Sequence, residues 1–324
     1  MTQGSSLGPN YFNLYINDLV DNLEFFTLLF ADDTNFLHSN IDLSQLERKA
    51  NTEFNKAQNY WKANKLSLNM EKTNYMLFKP KNINMPTTNF ELKTGDHFYK
   101  KVEEVKFLGI TIPSDLKFVT HYNHVIKKMK SGLAALNLVR NILPSKTKLQ
   151  IFNGLIKPHY EYNSIIWSTN LNKKQVQKII NMQKRGLRLV YSANKLCHSS
   201  ALFIKSNITR FDLLFKKTTI EIFYKRHFGT LPEMLSNKLN LIEKSKNSRT
   251  NNLKIPPIYK KGDLIYEIIN NWNHLPTTIK TPPDIQFKSK KRISDFIKEQ
   301  YEICNIEDCS SCRVTPYENI MEQH

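Results

Sequence analysis

Between residues 42 and 65 the apolar side chains of Leu43, Leu46, Ala50, Phe54, Ala57 and Trp61 recur three or four positions apart. That spacing lays one apolar stripe along a helix. Ser44 and Glu47 stand three residues apart at its start and predict a capping box. A shorter helix is expected from Pro9 to Val20, with Phe12, Tyr15, Ile16 and Leu19 on one face and Pro9 suited to the first turn. The pattern then tightens: Phe25 to Phe30 is apolar and aromatic, Ala31-Asp32-Asp33-Thr34 is polar, and Phe36 and Leu37 precede Ser39-Asn40. This reads as strand, acidic tight turn, strand. Further short strands are expected at Tyr75 to Phe78 and Lys106 to Ile112, separated by a loop over 79–88 rich in Lys, Asn, Pro and Thr.

Beyond Pro113 the character becomes helical. Val125, Ile126, Met129, Leu133, Leu136 and Val139 keep helical spacing, Pro144 ends that run, and Ser145 is expected to cap the next helix. Segments Lys173 to Tyr191 and Arg210 to Phe228 interleave basic and aromatic residues on helical patterns, and a last helix is expected from Phe287 to Tyr301. The polar stretch Leu239 to Lys261 reads as a linker or surface loop. The predicted fold class is therefore α+β: residues 1–115 mixed helix and strand, 116–170 helical, 171–238 basic and helical, and 239–324 a linker with a C-terminal region.

Composition sharpens this picture. With 324 residues, 40% of them hydrophobic, the chain can bury at least one core and excludes the disordered class. Lys and Arg number 47 against 29 Asp and Glu, a net charge of +18. A surplus of that size favours a polyanionic partner, because neutralising phosphates releases condensed counterions. No apolar run is long enough for a membrane span and no signal pattern opens the chain, so an intracellular, non-membrane protein of the nucleus or cytoplasm is expected. Four cysteines, three of them near the C-terminus, do not form a secreted disulfide framework.

The chemistry-bearing residues are few. Asp32 and Asp33 at a hairpin tip offer hard oxygen ligands to Mg²⁺ or Mn²⁺, although adjacent aspartates also suit a plain solvated turn. Since neighbouring strand residues point to opposite faces, Asp32 is assigned the ligand role and Asp33 the accessory one. Lys127, Lys128 and Lys130 form one basic group, and Lys173, Lys174, Lys178, Lys184, Arg185 and Arg188 a second, each suited to phosphates or to simple solvation. Phe287 to Arg292 also fits a nuclear-import run. Cys304, Cys309, Cys312 and His324 are candidate Zn²⁺ ligands with a wide first gap, while Cys197 with His198 reads as structural.

Order along the chain adds a resemblance. Gln3-Gly4-Ser5-Ser6-Leu7-Gly8-Pro9 with Phe12 to Leu19, then Phe30-Ala31-Asp32-Asp33, then Leu68-Asn69-Met70-Glu71-Lys72-Thr73, then Phe107-Leu108-Gly109-Ile110 resemble successive motifs of non-LTR, jockey-like retrotransposon reverse transcriptases. Leu155-Ile156-Lys157-Pro158, Tyr162, Trp167, Gln183-Lys184-Arg185, Trp272 to Pro276 and Phe287-Lys288 are similar to the helical remainder of that family. The resemblance implies part of a right-hand polymerase palm, an antiparallel sheet with helices, followed by a thumb and a mainly helical C-terminal region. It implies two-metal nucleotidyl transfer with an RNA template, a DNA primer and deoxynucleotides. Gln3 and Gly4 would then contact template and nucleotide, Asp32 and Asp33 the metal, and Phe107, Leu108 and Gly109 the primer. Lys72 would serve as proton donor or electrostatic partner to departing pyrophosphate, and Lys127, Lys128, Lys130, Lys184, Arg185 and Arg188 would follow the nucleic-acid backbone. The family's first catalytic aspartate precedes the Gln-Gly motif, so a C-terminal fragment that is catalytically incomplete alone is expected. The alternatives are a non-catalytic nucleic-acid-binding remnant and, less fitting at the C-terminal end, a splicing maturase or telomerase-like relative.

Overall fold

A computed structural model describes residues 5–78, 90–195, 197–240, 252–261, 263–284 and 286–301. The chain divides into two compact units, Met1–Leu116 and Lys117–His324.

In the first unit, helix α1 (Gly8–Ile16) runs into a 3₁₀ turn (Asn17–Asn22), followed by strands β1 (Phe26–Phe30) and β2 (Asp33–Leu37) and helix α2 (Leu43–Ala63). Short strands β3 (Asn74–Tyr75), β4 (Lys93–Thr94), β5 (His97–Phe98) and β6 (Lys100–Lys101) precede the hairpin β7 (Glu104–Phe107) and β8 (Ile110–Pro113). Helix α2 carries the expected apolar stripe, but its start is capped differently: the Asp42 carboxylate accepts the Ser44 N–H at 2.9 Å. Asp42 has the extended backbone of a cap residue, φ −94° and ψ 121°, and so takes the role assigned to Ser44 and Glu47.

The strands pair only as four two-stranded pieces among the described residues, three antiparallel and β3–β6 parallel. This departs from a single antiparallel sheet. Strands of two residues offer too few ladder bonds to recruit neighbours, so each pairs with what lies close. The segment expected as one strand over 106–112 is a hairpin, because Leu108 (φ 44°) and Gly109 (φ 84°) both turn left-handed, the requirement of a type I′ turn. The expected strand Tyr75 to Phe78 shrinks to Asn74–Tyr75, and the loop over 79–88 lies outside the described residues.

One core organises this unit. Ile16, Leu19, Phe25, Phe54, Ala57, Trp61, Leu92 and Tyr99 are buried together, with Leu29, Phe36, Leu68 and Tyr75 packed against them. Phe36 lies 6.2 Å edge-on to Phe54 and 6.0 Å from Trp61, so α2 grips the second strand of the hairpin by aromatic contact. Glu53 is the polar counterpart. Fully buried, its carboxylate accepts the Glu24 backbone N–H at 2.7 Å and pairs with Lys56 at 2.7 Å. Burial pushes this carboxyl up, yet the bonds from Lys56 and Glu24 and the charges of Lys56 and Lys49 outweigh it and hold the group below its ordinary 4.5.

The second unit is built from helices: α3 (Val119–Leu138), α4 (Ser145–Leu155), α5 (Lys157–Glu161), α6 (Ser164–Trp167), α7 (Lys173–Tyr191), α8 (Ser199–Ser206), α9 (Phe211–His227), α10 (Glu233–Asn240), α11 (Leu264–Asn273), α12 (Thr277–Lys280) and α13 (Ser289–Glu299). Pro144, not Ser145, sits at the cap position of α4. Its extended backbone leads into the helix and Ser145 becomes the first helical residue. Asn172 and Gln175 form a full capping box on α7, with reciprocal bonds of 2.9 Å. The final helix starts at Ser289 after a 3₁₀ turn (Gln286–Lys288). Of the predicted linker, Leu239 belongs to α10, the described residues 252–261 hold no helix, and 241–251 lie outside the described residues. Among the described residues no helix is long and apolar enough to cross a membrane.

Helices α3, α4 and α7 meet through glycines. A Cβ on Gly132 would stand 2.6 Å from the Leu155 carbonyl oxygen and 2.7 Å from Ile156 Cγ1, and one on Gly186 2.5 Å from the Phe152 ring. Trp167, Tyr160, Phe152 and Met129 are fully buried nearby in the chain's helical core.

Two outcomes follow from this packing. Gly132→Ala is expected to lower stability by about 1–3 kcal/mol in urea denaturation, because a fixed backbone oxygen blocks the added methyl; this outweighs the roughly 1 kcal/mol that alanine gains in a helix. Glu53→Leu is expected to cost about 1.5–3 kcal/mol. Because the folded carboxyl titrates below 4.5, its contribution is present above that pH and disappears as the pH falls through the lower folded value. The variant's stability should accordingly fall less steeply than the parent's on acidification.

Candidate active site

The hairpin β1–β2 pairs Phe30 with Asp33, so the connecting turn contains only Ala31 and Asp32. Alternation sorts the rest. Leu29, Phe36, Thr27 and Thr34 share the face turned to the core, while Phe26, Leu28, Phe30, Asp33, Asn35 and Leu37 share the other. Phe26, Phe30 and Leu37 are 51, 60 and 45% exposed, so this second face is apolar and open, with Asp33 at its end. Asp32 at the tip and Asp33 beside it are both exposed, and neither carboxylate has an ion-pair partner among the described residues. Ala31 takes φ 51°, a left-handed conformation in which an alanine is strained and the turn is kept to two residues.

Lys72 is also exposed, on a turn rather than a strand. Asn69 builds that turn: its side-chain oxygen accepts the Lys72 N–H at 3.1 Å and its carbonyl accepts the Thr73 hydroxyl at 2.8 Å. Leu68, just before it, packs on the same core as Leu29 and Phe36, so the acidic hairpin and the Lys72 turn share one foundation. Phe107, Leu108 and Gly109 occupy the tip of the separate β7–β8 hairpin and are not members of that core cluster. Gln3 and Gly4 lie outside the described residues, as do Cys304, Cys309, Cys312 and His324. Among the described residues no group of three or more His, Cys, Asp or Glu side chains is placed to hold a metal ion. What the hairpin does offer is a pair of unshared carboxylates, a donor set of the hard-oxygen kind that suits Mg²⁺ or Mn²⁺ on one side.

In the helical unit the two basic groups do not remain two stripes. Lys130 of α3 and Lys173, Lys174, Lys178 and Arg185 of α7 line one groove of about 960 Å³. Lys127 and Lys128 are exposed on α3 but do not line it; Lys128 lies near enough to His159 to lower that imidazole's pKa, second to the larger effect of burial. Lys184 and Arg188 turn away. The Arg188 guanidinium donates to the Cys197 carbonyl at 2.9 Å, and the half-buried Lys184 is lowered by burial and then by the charges of Arg210 and Arg188. The groove also contains Gln177 and Asn181, which the basic pattern alone had not singled out. They fall on the face defined by Lys174, Lys178 and Arg185 at helical spacing, the signal that could have found them.

Several other motif residues prove to be architectural. Gln183 is fully buried, donating to the Thr209 carbonyl at 3.1 Å and accepting the Phe211 N–H at 2.9 Å. The indole N–H of buried Trp167 donates to the Tyr162 carbonyl at 3.1 Å. Asn273 exchanges two bonds of 2.8 Å with the Leu253 backbone, and Trp272 packs 4.1 Å from Phe223. The Cys197 thiol is buried and donates to the His198 carbonyl at 3.5 Å.

The family model described as reverse transcriptase (RNA-dependent DNA polymerase) matches residues 1–112. The 115 kDa protein in type-1 retrotransposable element R1DM of Drosophila melanogaster is 24% identical over 232 residues, 70% of this chain and 22% of that protein. The chain therefore spans less than a quarter of that relative's length, and a 232-residue match extends beyond the first unit into the helical one. No solved structure matches the chain.

The strained turn gives a direct check. Ala31→Val is expected to cost about 1–2 kcal/mol, since a β-branched residue resists positive φ, whereas Ala31→Gly should stay within about 0.5 kcal/mol of the parent. Equal losses in urea denaturation would show that residue 31 is not held left-handed.

Proposed function

We propose that the chain, whose residues 1–112 match a reverse-transcriptase family model and which is similar to a non-LTR retrotransposon protein, is a portion of an RNA-directed DNA polymerase. In this reading residues 1–115 are part of the palm, 116–170 the thumb, 171–238 a basic helical region that follows it, and 239–324 a linker and C-terminal region. The observation that carries it is the two-residue turn that holds Asp32 in solvent with Asp33 next on the ladder, both carboxylates unshared.

Asp32 is the direct Mg²⁺ ligand and Asp33 the accessory one. When bound, divalent ions lower the pKa of a primer 3′-hydroxyl and neutralise the departing pyrophosphate. Lys72, on its Asn69-built turn, supplies a proton or a positive charge to that leaving group. Phe107, Leu108 and Gly109 support the primer end, Gln3 and Gly4 meet template and nucleotide, and the exposed lysines of α3 with Arg185 follow phosphates. Lys184 and Arg188 contribute to the same positive field from their half-buried positions. The template is RNA, the primer DNA and the substrates deoxynucleotides. Two-metal chemistry draws its carboxylates from two strands, and the acidic hairpin is one of them. In this reading the hairpin carries the metal contacts and the helical unit the nucleic-acid contacts. The basic groove between α3 and α7 favours a second reading, a nucleic-acid-binding remnant that keeps the contacts and not the catalysis.

Mn²⁺ titrated into the isotope-labelled chain is expected to broaden the amide signals around residues 30–35, with the effect lost in Asp32→Asn. Broadening centred elsewhere, or unchanged by that substitution, would remove the hairpin as a metal site. Any primer extension that the purified chain supports is expected to be lost in Asp32→Asn, and extension unchanged by that substitution would overturn the role of Asp32.

A further inference from the structure

The groove between α3 and α7 is built unlike an ordinary solvated face. Lys130 stands on one wall and Lys173, Lys174, Lys178 and Arg185 on the other, and no carboxylate lines it. Neither helix contains an Asp or Glu anywhere along its length, and none of the five cations forms an ion pair among the described residues. Lys173 and Lys174 occupy the first turn of α7, where the helix dipole already places positive charge and where acidic residues would stabilise it. Local helix stability thus argues against these cations. An anionic occupant restores the balance.

The interior of the groove narrows the class of that occupant. Buried Leu133 and half-buried Met182 give it an apolar floor, and exposed Ala134 adds to the apolar lining. On the α7 wall Gln177 donates to the Asn181 carbonyl oxygen at 2.9 Å, which leaves the Asn181 NH₂ and the Gln177 carbonyl oxygen free to bond outward. A duplex presents phosphates and hides its base faces, so it would leave this floor and this amide pair unused. A single strand can set its phosphates on the basic rim, its bases on the floor and a base edge against the amides. With no aromatic side chain in the lining, stacking is weak and sequence preference slight.

We propose that the α3–α7 groove holds one unpaired strand of RNA or DNA. The choice of a nucleic acid rests on the polymerase reading above, while the groove and the hairpin are tested by different measurements and can fail independently.

The test is fluorescence anisotropy of the full chain with a labelled single-stranded RNA of about 12 nucleotides, within the usual range for a single-strand site. A duplex of equal length and a polyglutamate competitor are run beside it. The single strand is expected to bind at least tenfold more tightly than the duplex and to resist polyglutamate. The triple variant Lys174→Gln, Lys178→Gln and Arg185→Gln is expected to weaken it at least tenfold. It should also reduce the slope of log K against log salt by about 2, from roughly 0.7 per phosphate contact. Lys130→Gln, on the opposite wall, tests the groove through a different helix, and Lys290→Gln with Lys291→Gln on α13 is the control for bulk charge. Circular dichroism melts verify that each variant is folded. Equal affinity for duplex and single strand, an unchanged affinity in both groove variants, or losses as large in the α13 control would overturn the proposal. Displacement by polyglutamate would make the groove an acidic-peptide site instead. Strand binding is expected to be retained in Asp32→Asn, so that the groove and the hairpin are scored apart.

Discussion

The acidic hairpin depends on being held by one face only. A two-stranded ribbon is marginal by itself, and here no third strand joins β1–β2 among the described residues. Its order comes from α2: Phe36 sits against Phe54 and Trp61, and the buried Glu53 carboxylate takes the Glu24 N–H just before β1. The apolar grip sets the face and the charged bond sets the position along the chain. Moving either by one residue would turn Leu29 and Phe36 outward and carry Asp33 to the opposite face. A side chain that approaches a ligand from a turn needs this kind of anchoring, because a two-residue turn has few degrees of freedom of its own and inherits the position of its strands.

What could be read in the sequence follows the strength of local signals. The bounds of α7 agree with its apolar spacing because the residues around it, from the Asn172 cap to the left-handed Ser192, punctuate the chain sharply. The acidic hairpin was legible for a similar reason: two alternating runs enclose a polar pair. The pairing of β3 to β6 was not, since two-residue strands carry no periodicity and their partners are chosen by tertiary contact. The turn at Leu108-Gly109 was missed because leucine seldom takes positive φ and hides a hairpin inside an apolar run. The apolar cluster under α3, α4 and α7 was expected only as separate helices, and the glycines that let them approach carry no pattern until the partner helix is known. For the candidate site, Asp32, Asp33 and the basic residues could be named from the sequence, but which cations converge is a property of the α3–α7 contact.

Net charge is equally a matter of placement. Lys148 is buried, donating to the Arg140 carbonyl at 3.0 Å and the Ser192 hydroxyl at 2.9 Å, and burial lowers its pKa. Lys280 is buried too and donates to the Asn273 carbonyl at 2.8 Å. Arg188 serves the Cys197 carbonyl. These cations close helix ends and loops, each through at least one hydrogen bond to an acceptor of the protein itself. The excess of +18 therefore overstates the charge available to a partner. A field strong enough to retain a polyanion arises where unpaired cations are concentrated and acids are excluded, and α3 and α7 meet both conditions.

The same comparison separates two meanings of a family motif. Gln183, Trp167 and Asn273 belong to strings that resemble the retrotransposon enzymes, yet each is occupied inside the protein, bonded at 2.8 to 3.1 Å. A side chain whose polar atoms are all engaged in holding helices together has none left for a template or primer. Asp32 and Asp33 are the opposite case: exposed, unshared and mounted on a turn whose left-handed alanine contributes strain and no stability of its own. Residues of the first kind account for why the helical unit folds as it does, and residues of the second kind are those for which folding supplies no reason. Chemistry is to be sought among the latter, and in this chain they lie at the hairpin tip, on the Lys72 turn and along the α3–α7 groove.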